Sequence, residues 1–263
     1  MKRRLMIVTG ARDEENNLPK LYEALLAEIE SSELEIHWYV CVNDSTDNSH
    51  DFIKQCKIKH DWVKDYSRDF GGEYSLGIKT STINRYLFDC AEEVYDFYSI
   101  CDADIVPIDS MFNKLVANLE HNRRIGLISG VPSKLKIANS EVVYGNCRVW
   151  SRECFLIAPY VVSLSADSIS LQRARMLDFL PQSFFNIKFV QRDYGERVNY
   201  GYYGHSAAYR GVSPFFASFK GIKLILIGEI SNGIRYIYYF FKNYFFIKHY
   251  YEDCEVRDFV NSE

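Results

Sequence analysis

Short apolar runs alternate with amphipathic stretches along the first half of this chain, and that alternation limits the fold more than any other feature. Leu5 to Val8 has the length and apolar character of a buried strand. Leu18, Leu21, Tyr22, Leu25, Leu26 and Ile29 then recur at helical spacing, with Asn16 or Asn17 available as an N-cap. Ile36 to Val42 reads as a second strand, His50 to Gln55 as a short helix and Val63 to Tyr66 as a third strand. Gly71-Gly72 precedes a helix reaching about Ala91, and Phe97 to Cys101 is a fourth strand. Asp109 or Ser110 can cap a helix through Leu119, before a fifth strand from Gly126 to Val131. Such alternation predicts an α/β fold, a mostly parallel Rossmann-like sheet flanked by helices.

In such a sheet, ligands gather at the carboxyl ends of the strands. Three polar segments follow strand ends here: Arg12-Asp13-Glu14, Asn43-Asp44-Ser45 and Asp102-Ala103-Asp104. If the extended conformation continues past Cys101, Asp102 and Asp104 share one face. Two hard oxygen ligands there suit Mg²⁺ or Mn²⁺ together with a diphosphate. The glycine-rich routes to phosphate are missing. Only Gly10 follows the first strand, so there is no GxGxxG, and no GxxxxGK[ST] occurs. Any phosphates must then be held by a metal.

With these motifs in place, the chain resembles the family 2 glycosyltransferases of the GT-A fold over roughly residues 4 to 135, and more loosely beyond. Val8-Thr9-Gly10-Ala11-Arg12-Asp13-Glu14-Glu15-Asn16-Asn17-Leu18 resembles that family's first strand and turn. Val42-Asn43-Asp44-Ser45-Thr46-Asp47-Asn48-Ser49 resembles its second nucleotide segment, one residue short and with Asn43 for the first aspartate. Ile100-Cys101-Asp102-Ala103-Asp104 resembles its metal motif. The resemblance implies that Ala11, Arg12 and Glu14 line the base and ribose, and that Asn43 or Asp44 accepts a hydrogen bond from the base. It implies that Asp104 ligates the metal and that Asp102 faces the metal or the ribose. The donor implied is a nucleotide-diphosphate sugar, with UDP before GDP or dTDP.

Asp167-Ser168-Ile169-Ser170-Leu171-Gln172-Arg173 resembles the segment that carries the family's base, with Ala166 where a glutamate is usual. Asp167 is therefore the candidate for deprotonating the acceptor hydroxyl, with Asp193 and Glu196 as rivals. His205 is a candidate third metal ligand, and Arg210 a candidate diphosphate contact. Both follow Tyr200-Gly201-Tyr202-Tyr203-Gly204, which reads as a flexible aromatic loop. The transferase domain implied is 1–214, divided into a nucleotide-sugar half, 1–135, and an acceptor half, 136–214, with a helical extension over 215–263.

The bulk composition excludes other classes. Net charge is -4, which gives no basic field for nucleic acid. The seven cysteines form no CxxC pair and suit reduced thiols in a cytoplasmic chain. Met1-Lys2-Arg3-Arg4 and the next apolar residues look like a signal peptide, but Arg12-Asp13-Glu14 cuts the run short. Tyr and Phe interrupted by Arg235, Lys242 and Lys248 suit an inner membrane surface through 215–251 and a glycan or lipid-linked acceptor. The same pattern also fits a core or homodimer helix. The function implied is a metal-dependent, inverting sugar transfer in surface polysaccharide or glycolipid synthesis. A sugar-nucleotide pyrophosphorylase normally has a basic, glycine-rich first loop, which Arg12-Asp13-Glu14-Glu15 is not. A non-catalytic membrane-associated scaffold with a transferase fold is the third alternative.

Overall fold

The computed structural model describes residues 2–32, 34–71, 76–136, 142–192 and 199–246. Four parallel strands form one half of an eight-stranded sheet. They are β1 (Arg4–Ala11), β2 (Glu35–Val42), β3 (Val63–Asp65) and β4 (Phe97–Cys101). The pleat divides their side chains between two cores. Leu5 and Ile7 of β1 and Trp38 and Val40 of β2 pack on one face. Met6, Val8, Tyr39 and Cys41 pack on the other. Both faces are apolar because helices cover both, which is why β1, β2 and β4 read as mainly hydrophobic runs; β3, Val63-Lys64-Asp65, is the short edge strand and does not.

Helices α1 (Leu18–Glu30), α2 (Ser49–Lys59) and α4 (Met111–His121) supply the first core through Leu21, Ile53 and Leu115. Helices α3 (Leu76–Asp89), α5 (Arg152–Ile157) and α6 (Ala166–Met176) supply the second through Leu87, Phe155 and Ala174. The remaining strands are β5 (Ile105–Pro107), β6 (Ile125–Pro132), β7 (Cys147–Ser151) and β8 (Leu180–Gln191). The sheet order is β3-β2-β1-β4-β7-β6-β8-β5. The expected parallel character holds from β3 to β4, beyond which the sheet is mixed. Strand β7 runs antiparallel to both its neighbours, and β5 antiparallel to β8. Since β6 and β8 run parallel to each other, β8 ends on the same rim as β1, β2 and β4.

The helix starts differ from their sequence signals. Neither Asn17 nor Ser110 caps its helix through its side chain. The start of α4 is held instead from α1. Glu28, 3% exposed, accepts from Phe112 N–H at 3.0 Å and from Asn113 Nδ2 at 2.7 Å. Burial raises the Glu28 pKa, against the lowering effect of these hydrogen bonds. A folded-state pKa above the unfolded value means stability that falls as pH rises through that interval. Glu28→Ala orphans the α4 amides and is expected to cost about 2 kcal/mol in urea unfolding. Glu28→Gln keeps an acceptor and is expected to flatten the pH slope above the ordinary carboxylate range.

The chain divides into two compact units, residues 1–192 and 193–263, whereas the sequence pattern put the boundary at 214/215. The second unit contains α7 (Tyr200–Tyr209), α8 (Pro214–Leu226) and α9 (Ile230–Phe246). They pack around Ala207, Ala208, Ala217, Tyr236 and Phe240. The aromatic loop expected over 200–204 is therefore a correction: it is the start of α7, with Asn199 Oδ1 accepting from Tyr202 N–H at 3.2 Å. Its glycines serve close packing. A Cβ on Gly204 would lie 2.3 Å from the Tyr236 carbonyl oxygen. Among the described residues, no helix is long and apolar enough to cross a membrane.

Candidate functional site

The rim at the carboxyl ends of β1, β2 and β4 is built by loops that lock one another. Asp13 and Asp44, the second residues beyond β1 and β2, adopt left-handed backbone with φ of 53° and 49°, which aspartate tolerates better than most residues. Asp13 Oδ1 accepts from Thr46 N–H at 2.8 Å, and Ser45 Oγ accepts from Asp13 N–H at 3.0 Å. Ser49 Oγ accepts from Glu14 N–H at 3.0 Å, while Glu15 Oε2 accepts from Asn48 N–H at 3.1 Å. These bonds hold the two segments expected to meet a nucleotide in one fixed surface. Arg12 remains 63% exposed on it.

Asn43 and Asp44 are no longer equivalent. Asn43 is 1% exposed; its Oδ1 accepts from Phe70 N–H at 2.8 Å and its Nδ2 donates to Asp44. Asp44 is only half-buried and bonds Lys79, whose hydrogen bond is the largest cause lowering the Asp44 pKa. Asn43 is committed to shaping the loop, which leaves Asp44 as the ionised acceptor at its surface. Its partner, Lys79, comes from α3.

The Asp102-Ala103-Asp104 segment is a turn between β4 and β5, with Ile105 N–H donating to Asp102 O at 3.0 Å. The strand pleat therefore does not set its geometry, contrary to the extended reading. Ala103 packs into the first core, and Asp102 and Asp104 stay half-exposed. Protein surrounds the Asp102 carboxyl closely even so. Desolvation raises its pKa well above the usual carboxylate range, and the charges of Asp104, Asp167 and Glu14 push the same way.

Arg192, directly after β8, pairs with Glu14 and lies 3.8 Å from Asp104 Oδ2. Arg148, on β7 and 1% exposed, lies with Nη2 3.5 Å from Asp167 Oδ1 and donates from Nη1 to Asp167 O at 3.0 Å. Its Nε donates to Tyr144 O at 3.2 Å. Asp167 lies in the first turn of α6, where Ser165 holds the N-cap position, and half of its side chain is exposed. The sequence singled out neither arginine; a lone Arg within or after a strand carries no motif. Gly145 is needed beside Asp167, because a Cβ there would lie 2.2 Å from Asp167 Oδ2. The same Cβ would lie 2.9 Å from Arg148 Nη2, so Gly145→Ala is expected to displace both partners of the Arg148–Asp167 pair and to lower Tm, read by thermal unfolding.

The donor set fits a divalent ion in the following sense. Three carboxylates, Asp104, Asp167 and Glu14, are near enough for their charges to act on Asp102. A dication would relieve that repulsion. No group of three or more His, Cys, Asp or Glu is placed to hold a metal among the described residues, so Asp102 and Asp104 need oxygens from a ligand or from elsewhere. His205 and Arg210 lie on and at the end of α7 in the second unit. Burial lowers the His205 pKa, and Arg210 Nε donates to Ser206 O at 3.3 Å. Asp193 and Glu196 lie outside the described residues.

No protein-family model and no curated protein matches this chain. Solved structures do. A mannosyltransferase from Pyrobaculum calidifontis in complex with GDP-Man and Mn²⁺ aligns at 14% identity over 94% of this chain and 71% of that chain, with a TM-score of 0.57. TarS 1-349 of S. aureus in complex with UDP aligns at 10% identity over 93% and 72%, with a TM-score of 0.55. The chain has the GT-A glycosyltransferase fold. Glucosyl-3-phosphoglycerate synthase from Mycobacterium tuberculosis, in complex with Mn²⁺, UDP and glucosyl-3-phosphoglycerate, aligns at 13% identity over 73% and 72%, with a TM-score of 0.51. At these identities the likeness is one of fold. Asp102-Ala103-Asp104 stands where the chain leaves the parallel half of the sheet.

Proposed function

We propose that this chain is a metal-dependent, inverting glycosyltransferase that moves a sugar from a nucleotide-diphosphate sugar to a hydroxyl of a glycan or lipid-linked acceptor. The observation that supports the reading is a GT-A sheet whose edge carries Glu14 and Asp104 about Arg192 and Asp167 against Arg148, with the charges of all three carboxylates acting on Asp102. Asp104 and Asp102 would hold Mn²⁺ or Mg²⁺, whose chemistry when bound is Lewis-acid stabilisation of the leaving diphosphate. Asp44 accepts a hydrogen bond from the nucleobase, with Lys79 keeping its carboxylate ionised. The loop of Ala11, Arg12 and Glu14 lines the base and ribose. Asp167 takes the proton from the attacking acceptor hydroxyl, and Arg148 fixes its position from within β7. A base on the acceptor side and a leaving group on the donor side give inversion at the sugar carbon. The roles of His205 as a further ligand and Arg210 as a diphosphate contact stand on the family resemblance, as does that of Asp193 as a rival base. A lipid-linked or surface glycan is the acceptor class proposed.

The test is a thermal-shift screen of UDP-, GDP- and dTDP-sugars with and without Mn²⁺. One nucleotide class is expected to raise Tm only when Mn²⁺ is present. No metal-dependent stabilisation by any of them, in a chain that melts cooperatively, would sink the reading.

A further inference from the structure

Helices α8 and α9 turn small residues towards each other and large apolar ones outward. In α8, Phe215, Phe219, Ile222 and Leu226 follow one another at i, i+4, i+7 and i+11, so they lie along one face. Each is between 49% and 80% exposed. The opposite face carries Ala217 and Gly221, both buried, and a Cβ on Gly221 would lie 2.2 Å from Ile237 Cγ1 of α9. Gly233 of α9 is equally tight, with a Cβ there falling 2.5 Å from the Gly221 carbonyl oxygen. The connection turns at Gly228, with φ of 95°, and exposes Ile227, Ile230 and Ile234 around it. The apolar surface thus runs along α8 and over the tip of the hairpin.

The charge on the two helices and their connection is mainly basic. Among the described residues 199–246, Arg210, Lys220, Lys223, Arg235 and Lys242 stand against Glu229, while the sequence after 246 adds Lys248 and Arg257 against Glu252, Asp253, Glu255, Asp258 and Glu263. Lys223 and Arg235 are exposed beside the apolar faces. Lys220 and Lys242 lie over tyrosine rings, at 5.0 Å from the Tyr236 centroid and 5.8 Å from that of Tyr239.

We infer that the α8–α9 hairpin docks in the plane of an anionic lipid bilayer, with Phe215, Phe219, Ile222, Leu226 and the isoleucine tip entering the acyl boundary. The basic side chains reach from its flanks to anionic headgroups. Charge complementarity selects this occupant. A second copy packed face to face would bring two basic hairpins together, which opposes pairing. The helices have 13 and 17 residues and carry cations along their length, so they lie on the surface and do not span. The inference goes beyond the transferase reading and does not depend on it.

The experiment is co-sedimentation of the full chain with vesicles of phosphatidylcholine alone or with 30% phosphatidylglycerol, without donor or metal. Because neither is present, failure here leaves the donor-binding test untouched, and the reverse also holds. Binding is expected only to the anionic vesicles and to weaken with salt. Phe219→Asp with Leu226→Asp is expected to abolish it at unchanged Tm. Lys223→Gln and Arg235→Gln are each expected to weaken it about fivefold. Phe219→Trp reports insertion directly, through quenching by brominated lipid. No binding to anionic vesicles at low salt overturns the inference. So does equal binding by the double aspartate variant, or a solution dimer that Phe219→Asp converts to monomer.

Discussion

Asp104→Ala is expected to lower kcat/KM for sugar transfer by about a thousandfold or more, the effect of losing several kcal/mol of stabilisation on the leaving diphosphate. Its fold should be unaffected. Asp104 is half-exposed in a turn, and its ion pair to Arg192, at 3.8 Å, is long. The variant should melt at the wild-type temperature in buffer and lose the added stability that donor with Mn²⁺ confers. Removing the metal from the wild type with a chelator should reproduce the variant. Asp102→Ala tests the other half of the motif. Asp102 is the more enclosed carboxylate and bears the repulsion of its neighbours, so its removal should raise stability in metal-free buffer while impairing transfer. An Asp104→Ala protein that binds donor and metal unchanged would show that the metal is held elsewhere.

Asp167→Asn is expected to lower kcat by about a hundredfold to ten-thousandfold, the usual range for loss of a positioned base. Donor and Mn²⁺ affinity should stay within a few fold, because the substituted group serves the acceptor. The amide keeps an oxygen for Arg148, whose guanidinium also has the Asp167 and Tyr144 carbonyls at 3.0 and 3.2 Å, so a buried cation is not left alone. Arg148→Ala separates positioning from chemistry. It should lower kcat by misplacing Asp167, and Arg148→Lys should restore only part of it, since a point charge cannot reproduce three separate contacts. If Asp167→Asn keeps full kcat, the base is another carboxylate, and Asp193→Asn and Glu196→Gln become the deciding variants.

Strands β1, β2 and β4 were legible in the sequence because each is buried on both faces and reads as a mainly apolar run. Strand β7 was not. Its five residues carry Arg148, and a charged side chain in a central strand makes sense only once Asp167 is known to meet it. Strand β8 gives little signal in the sequence, because Leu180, Phe185 and Val190 on it are exposed and form no continuous apolar run. Helix α7 was hidden by glycines whose role, a close approach to α9, leaves no periodic trace. Glu28 shows the same limit: on α1 it reads as a surface acid, yet it holds the start of α4 from 84 residues away.

The sequence by itself determined the parallel half of the sheet, the order of its loops and the presence of a carboxylate pair after β4. Those features rest on local periodicity and on motifs a few residues long. Only the tertiary structure decided which charged groups face one another. Asp167 comes within electrostatic reach of Asp102 because β7 runs antiparallel beside β4, pairing Cys101 with Cys147 and setting Arg148, the partner of Asp167, next in line. Arg192 reaches Glu14 and Asp104 because β8 ends on the same rim. Such pairings join residues far apart in the chain, and they follow from strand register, which hydrophobic spacing along one segment does not encode.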